Sequence, residues 1–328
     1  MVRSLLVSAF VALSALGACD RSKPSPPAPT PAPAETSAPK AEENYGSLAV
    51  PSAAPPRVVA IGDLHGDLAA TRKVLKLAGA IDANDKWIGG SLVIVQTGDQ
   101  IDRGDDDRAI LDLFERLATD AKQAGGEVLS LVGNHELMNA VFDFRYVTPG
   151  AFVSFAEVRG PATIGLDGID PSQRGRASAF APAGPYARML AKRPVVARVG
   201  DSIFVHGGVL PKHVKHGLDK INADTRAWLE GARTDAPRIV VAEDGPVWTR
   251  MYSAAPGKEE CNMLGETLAL LKAKRLVMGH TPQKPGIQPA CDGRAWRIDA
   301  GIAKFYGGPA QALELTGDNA KVIGEGAP

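Results

Sequence analysis

Three short motifs, Gly62-Asp63-Leu64-His65-Gly66, Gly98-Asp99-Gln100-Ile101-Asp102-Arg103-Gly104 and Gly133-Asn134-His135-Glu136, put carboxylates, an amide and imidazoles directly after β-forming runs at 57–61, 91–96 and 127–131. Two further histidines follow such runs, in His206-Gly207-Gly208 and Gly279-His280-Thr281. Of the six histidines in the chain, only His213 and His216 lie outside these motifs. Hard oxygen and nitrogen donors grouped in this way suit two divalent ions, with one carboxylate able to bridge them. Any one motif alone reads as a turn or a hydrogen-bonded structural residue; the set together points to a metal-assisted hydrolytic centre.

The elements that must position these groups alternate. After the strand ending at Ile61, Leu68, Leu75 and Ala78 share a helical face. Asp105, Asp106 and Asp107 open a second helix at its positive end, and Ile110, Leu113, Phe114, Leu117 and Ala121 make its apolar stripe. Gly125 and Gly126 stop it before the third strand. This βαβαβ order predicts an α/β core. Residues 195–199 and 202–205, joined by Gly200-Asp201, read as a hairpin. Residues 275–278, 295–298 and 311–315 read as further strands. The stretch from about 139 to 193 is rich in Gly, Pro and Arg with weak periodicity, and reads as a partly helical insertion near the mouth of the site.

Formal net charge is zero, with 37 basic and 37 acidic residues, so the basic excess of a nucleic-acid-binding surface is missing. The length of 328 residues allows one large domain or two. The amino-terminal region stands apart. A basic start is followed by an apolar stretch at 5–16, about a dozen residues and too short to span a bilayer comfortably. Leu16-Gly17-Ala18-Cys19 resembles a bacterial lipoprotein signal box, which implies cleavage before Cys19 and lipid attachment to it; an ordinary secretory signal with an incidental cysteine is the alternative. Residues 1–18 are then a lipoprotein signal peptide and 19–56 a Pro/Ala-rich tether, which puts the catalytic domain at 57–328. The expected location is a bacterial cell envelope, lipid-anchored and extracytoplasmic, on the periplasmic side. With Cys19 modified, Cys261 and Cys291 remain, either as a disulfide in an oxidising compartment or as two unpaired buried thiols. Cys261 is placed just before a helical run at 264–274, and Cys291 in a turn.

The motif series resembles the phosphoprotein phosphatase family of metallophosphoesterases. Its pattern of Gly-Asp-x-His-Gly, Gly-Asp-x-x-Asp-Arg-Gly, Gly-Asn-His-Glu, His-Gly and a last Gly-His is intact from Gly62 to His280. Asp67, Gly279-His280-Thr281-Pro282-Gln283, Ile298-Asp299-Ala300-Gly301-Ile302 and Tyr306-Gly307-Gly308 are similar to the Shewanella-like branch. The resemblance implies the calcineurin-like metallophosphoesterase fold, an α/β architecture of two packed mixed β-sheets flanked by helices. It assigns Asp63 and His65 to one metal, Asp99 as the bridge, and Asn134, His206 and His280 to the second. His135 becomes the general acid, held by Asp102, with a second-shell hydrogen-bond donor as its alternative role. Arg103 and the metal ligand Asn134 bind the phosphate, with Arg250 in Val247-Trp248-Thr249-Arg250 as the candidate second clamp; a surface arginine beside a core tryptophan is the other reading of Arg250. The implied cofactors are two divalent ions (Mn, Fe or Zn), and the nucleophile a water or hydroxide bridging them.

The expected function is hydrolysis of phosphomonoesters on phosphorylated proteins or peptides, with phosphotyrosine favoured. Phe142, Phe144, Tyr146, Phe152 and Phe155 either line a slot for an aromatic ester or pack as core of the insertion. Two other readings remain open at this point: a dinucleoside tetraphosphate hydrolase and a non-catalytic, membrane-tethered metal- or phosphate-binding module. The sequence is silent on oligomeric state.

Overall fold

The computed structural model describes residues 55–327. The signal segment, Cys19 and nearly all of the tether lie outside the described residues. No helix among the described residues is long and apolar enough to cross a membrane.

Strands β1 (Val58–Ile61), β2 (Val93–Gln96) and β3 (Glu127–Ser130) are parallel, connected by α1 (Leu68–Leu77) and α2 (Asp107–Gln123). The side chain of Asp67 caps α1 by accepting the Ala70 N–H at 2.9 Å. The expected stripe of α2 is buried throughout; in α1, Leu75 and Ala78 are buried, and Thr71 and Val74 complete a face on which Leu68 is only half-buried. Four short helices follow: α3 (Asn134–Ala140), α4 (Pro149–Val153), α5 (Arg174–Phe180) and α6 (Pro185–Leu190). The hairpin β4 (Val196–Val199) and β5 (Ser202–Val205) leads into α7 (Pro211–His216), α8 (Leu218–Leu229), α9 (Arg238–Val241) and α10 (Lys258–Leu271). The chain ends with β6 (Arg275–Met278), β7 (Gln288–Ala290), β8 (Ala295–Arg297), β9 (Gln311–Thr316) and β10 (Asn319–Gly324).

Two mixed five-stranded sheets result, ordered β10-β9-β1-β2-β3 and β4-β5-β6-β8-β7. Side chains in β5 and β6 alternate between two cores, as period-2 geometry requires. Phe204 and Val277 join the cluster that holds Val59, Ala60 and Val95, so the sheets pack face to face. Ile203, Val205, Leu276 and Met278 turn the other way, onto Leu264, Leu268 and Trp228 of the outer helices. Each sheet contains three adjacent parallel strands, β1-β2-β3 and β5-β6-β8. Their carboxyl ends are where open α/β sheets present ligand sites.

Strands β7 and β10 and helices α3, α7, α8 and α9 are additional to the sequence reading. Helix α10 starts at Lys258 rather than Leu264 and ends at Leu271, where Lys272 turns left-handed (φ 48°). Cys261 therefore lies within its first turns.

Candidate active site

Each of the five motifs that carry the expected metal ligands leaves the carboxyl end of a parallel strand. Asp63 and His65 follow β1, Asp99 follows β2, Asn134 and His135 open α3 after β3, His206 follows β5 and His280 follows β6. The chain reverses sharply at these points. His65, Asp99, Asp102, Arg103 and His280 all have positive φ, between 45° and 70°, a conformation that costs a non-glycine residue energy and concentrates at functional sites. Neighbouring glycines allow close approach. A Cβ on Gly133 would lie 2.2 Å from the Asp99 Oδ1, and one on Gly279 would lie 2.3 Å from the Asp63 Oδ1.

The imidazoles are oriented from behind. His65 donates from Nδ1 to the Ile101 carbonyl at 3.2 Å, and His206 donates from Nδ1 to the Thr97 carbonyl at 2.9 Å. His280 donates from Nε2 to the Trp248 carbonyl at 3.0 Å. Each bond fixes a tautomer and leaves the other ring nitrogen as a bare lone pair. Those lone pairs converge. His206 Nε2 lies 3.1 Å from His280 Nδ1, 2.9 Å from Asn134 Oδ1 and 3.2 Å from Asp99 Oδ2. His65 Nε2 lies 3.7 Å from Asp63 Oδ2 and 3.9 Å from Asp99 Oδ2.

All of these groups are buried. Burial pushes the His65 pKa down to about 3 and, helped by His206 and Arg250, that of His280 to about 2, so both rings are neutral. Burial alone would raise the Asp99 pKa, but His206, His135 and His65 hold it well below the usual carboxylate value. Asp63 is raised well above its ordinary value by burial and by the neighbouring Asp299 and Asp99 charges. Neutral imidazoles, an amide oxygen and crowded carboxylates form a donor set that fits divalent cations. Among the described residues, two groups have metal-ligand spacing: Asp99 with His206 and His280, and Asp99 with His65 and His135. Asp99 belongs to both.

His135 is held differently. Its Nδ1 donates to Asp102 Oδ2 at 2.7 Å, and its Nε2 lies 3.8 Å from Asp99 Oδ2. Burial works against protonation here, yet the Asp99 and Asp102 carboxylates raise its pKa above the ordinary value. The backbone N–H of His135 donates to Asp99 Oδ1 at 3.0 Å, tying the start of α3 to the shared carboxylate.

Arg103 lies beneath three rings. Its guanidinium carbon is 4.3 Å from the Tyr146 ring centroid, 4.8 Å from that of Phe305 and 5.5 Å from that of Tyr306. Stacking of this kind holds the planar fork without consuming its hydrogen-bond donors. The Tyr146 ring also lies 5.0 Å from His135, and the Tyr306 ring 5.4 Å from His65. A groove of about 490 Å³ opens beside them, lined by His65, Arg103, Asp105, Thr148, Lys304 and Phe305 among others. Arg250 is exposed at the rim, where its guanidinium donates to the His280 carbonyl and the Thr281 hydroxyl, both at 2.8 Å. The aromatic residues of the insertion divide. Tyr146 faces the site; Phe155 packs in the core against Phe180 and Tyr186; Phe142, Phe144 and Phe152 form a half-buried cluster of their own.

Several residues around the site were not assigned a role from sequence. The Glu136 carboxylate accepts the backbone N–H groups of Asp99, Gln100 and Gly133 at 2.8–2.9 Å, which pins the loop after β2 to α3. Asp299, after β8, is buried beside Asp63 with its pKa raised by burial to about 6. Its strand-end position in Ile298-Asp299-Ala300-Gly301 was the available signal. Asn139 and Arg176, both fully buried, bond to Asp102 and had no such signal. Away from the site, Cys261 and Cys291 form a disulfide with Cα atoms 5.2 Å apart, joining α10 to the turn between β7 and β8.

Residues 56–284 match the calcineurin-like phosphoesterase family. The chain is 39% identical to Shewanella-like protein phosphatase 2 of Arabidopsis thaliana, over 81% of this chain and 76% of that protein. It is 31% identical to Shewanella-like protein phosphatase 1 of Plasmodium berghei, over 77% and 69%. The crystal structure of the cold-active protein-tyrosine phosphatase of a psychrophilic Shewanella species superposes with a TM-score of 0.68 at 25% identity, covering 81% of this chain and 77% of that one. The chain therefore belongs to the calcineurin-like metallophosphoesterases, among the Shewanella-like protein phosphatases, and is a metal-dependent hydrolase of phosphoric monoesters.

Proposed function

We propose that the enzyme dephosphorylates phosphoproteins, with phosphotyrosine preferred, at a centre for two divalent ions. Asp63, His65 and Asp99 would hold one ion, and Asp99, Asn134, His206 and His280 the other. Mixed oxygen and nitrogen ligation suits Mn, Fe or Zn. Such ions would supply Lewis-acid polarisation of the phosphate and activation of water. The chain's own residues do the rest. Arg103 offers its planar fork to two phosphate oxygens, and Arg250 turns to the phosphate from the rim. His135, oriented through Nδ1 by Asp102, gives a proton to the leaving oxygen. The observation that carries this reading is the convergence of His206 Nε2, His280 Nδ1, Asn134 Oδ1 and Asp99 Oδ2, four acceptor atoms with no donor among them.

The aryl preference is supported by the rings of Tyr146, Phe305 and Tyr306 around Arg103, and by the likeness to a protein-tyrosine phosphatase. Phosphate release from matched phosphotyrosine and phosphoserine peptides tests it, with faster turnover of the aryl ester expected. Equal or inverted rates would overturn the preference, and cleavage of a dinucleoside tetraphosphate in place of the peptides would overturn the substrate class. The same reading places the enzyme on an envelope membrane through lipidated Cys19, facing an oxidising compartment in which the Cys261–Cys291 disulfide persists. A labelled fatty acid should enter the parent and not Cys19→Ser; a parent without label would rule the anchor out.

A further inference from the structure

The stretch between α3 and β4 buries two arginines, Arg176 and Arg193; Arg193 bonds to Gln100 and Glu115, and Arg176 reaches the carboxylate that holds His135. Arg176, on α5, is fully buried and meets two fully buried carboxylates. Its Nη2 lies 2.9 Å from Asp102 Oδ1 and 2.7 Å from Asp107 Oδ2. Its Nε donates to Asn139 Oδ1 at 2.7 Å, and Nη1 to the Ala151 carbonyl at 3.3 Å. The guanidinium carbon is about equally far from the Phe155 and Phe180 rings, at 5.1 and 5.0 Å. Asn139 closes the arrangement by donating from Nδ2 to Asp102 Oδ1 at 3.0 Å and to the His135 carbonyl at 2.9 Å.

Burying a guanidinium against two carboxylates has a large desolvation cost, felt at Asp107, whose pKa burial pushes up to about 7, and apolar side chains of similar volume commonly serve stability as well or better. What this arrangement provides is direction. Asp102 has one oxygen on Arg176 and the other on His135 Nδ1, so its carboxylate cannot rotate without breaking one of the two bonds. With Nδ1 fixed, His135 keeps Nε2 toward Asp99.

We propose that Arg176, bracketed by Asn139, is a positioning residue that acts through Asp102 to aim His135 at the reaction centre. The proposal rests on the reading of His135 given above. The test is a double-mutant cycle on the metal-loaded enzyme, with phenyl phosphate and 4-nitrophenyl phosphate as substrates. Arg176→Lys keeps the charge and loses the fork. Its kcat on phenyl phosphate should fall about 10- to 100-fold, the scale of an ångström-sized misplacement, with KM nearly unchanged. The fall should be smaller on 4-nitrophenyl phosphate, whose leaving group needs little protonation. Introduced into His135→Asn, Arg176→Lys should cost nothing further. A second, multiplicative loss in that background would overturn the proposal, as would unchanged kcat in the single variant. If His135→Asn itself showed no leaving-group dependence, the acid role would fail, while the cycle would still report whether Arg176 acts through His135. Asn139→Ala, run through the same cycle, decides the matter should Arg176→Lys not fold.

Discussion

The strand-end loops and the stretch from 139 to 193 meet at His135, and they serve it by different physical means. The loops act locally. Positive-φ residues turn the chain after β1, β2 and β6, and adjacent glycines allow the close approach by which side chains such as Asp63, Asp99 and His280 face inward. The stretch acts at long range. Arg176 reaches Asp102 across 74 positions, and Tyr146 places its ring on Arg103 and His135. The loops supply the groups that could hold metal, whereas the stretch supplies orientation for His135 and an aromatic wall. A fold can thus keep its chemistry in short turns while a longer segment, remote in sequence, orients it.

That division can be broken at several points. The largest effect belongs to the shared carboxylate: Asp99→Asn should abolish nearly all phosphatase activity, because an amide cannot offset two divalent charges. His135→Asn should lower kcat by about 10²–10⁴, the usual range for a general acid, with the loss shrinking as the leaving group improves. Steady-state kinetics on a series of aryl phosphates measures this, and an equal loss throughout would mean a structural role. Within the stretch, Tyr146→Ala should lower kcat/KM for a phosphotyrosine peptide relative to a phosphoserine peptide by about 3- to 10-fold, the size of one aromatic contact. An unchanged ratio would remove Tyr146 from substrate selection. Reduction of Cys261–Cys291, outside both regions, should affect activity least. Closing a loop of this length contributes about 3–4 kcal/mol on the chain-entropy model. Thermal unfolding with and without reductant should show a lower Tm in the reduced protein and little change in kcat at moderate temperature. An unchanged Tm would mean that the link contributes nothing to stability.

The same division explains what the sequence revealed. Motifs that end strands are legible because the strand, the turn and the chemical group are neighbours in the chain, as in Gly62-Asp63-Leu64-His65-Gly66. The β4–β5 hairpin was legible from Gly200-Asp201 between two apolar runs. Gly317-Asp318 makes the matching turn between β9 and β10, but Asn319-Ala320-Lys321 lacks the alternation that would have marked a strand. Strand β7 is three residues long, contains Pro289 and pairs only with β8, so no local pattern announces it. Arg176 is written like any surface arginine, between Gly175 and Ala177, and its burial follows from where α5 packs rather than from its neighbours. Phe305 and Tyr306 reach Arg103 only because β9 returns the chain to the edge of β1.

The central claim is that Asp99 belongs to two ion positions at once. Elemental analysis of purified protein, before and after Asp99→Asn, tests it most directly. The parent should carry two divalent ions per chain and the variant close to none, with folding unchanged by circular dichroism. A variant that kept two ions per chain and the parental kcat would contradict the claim.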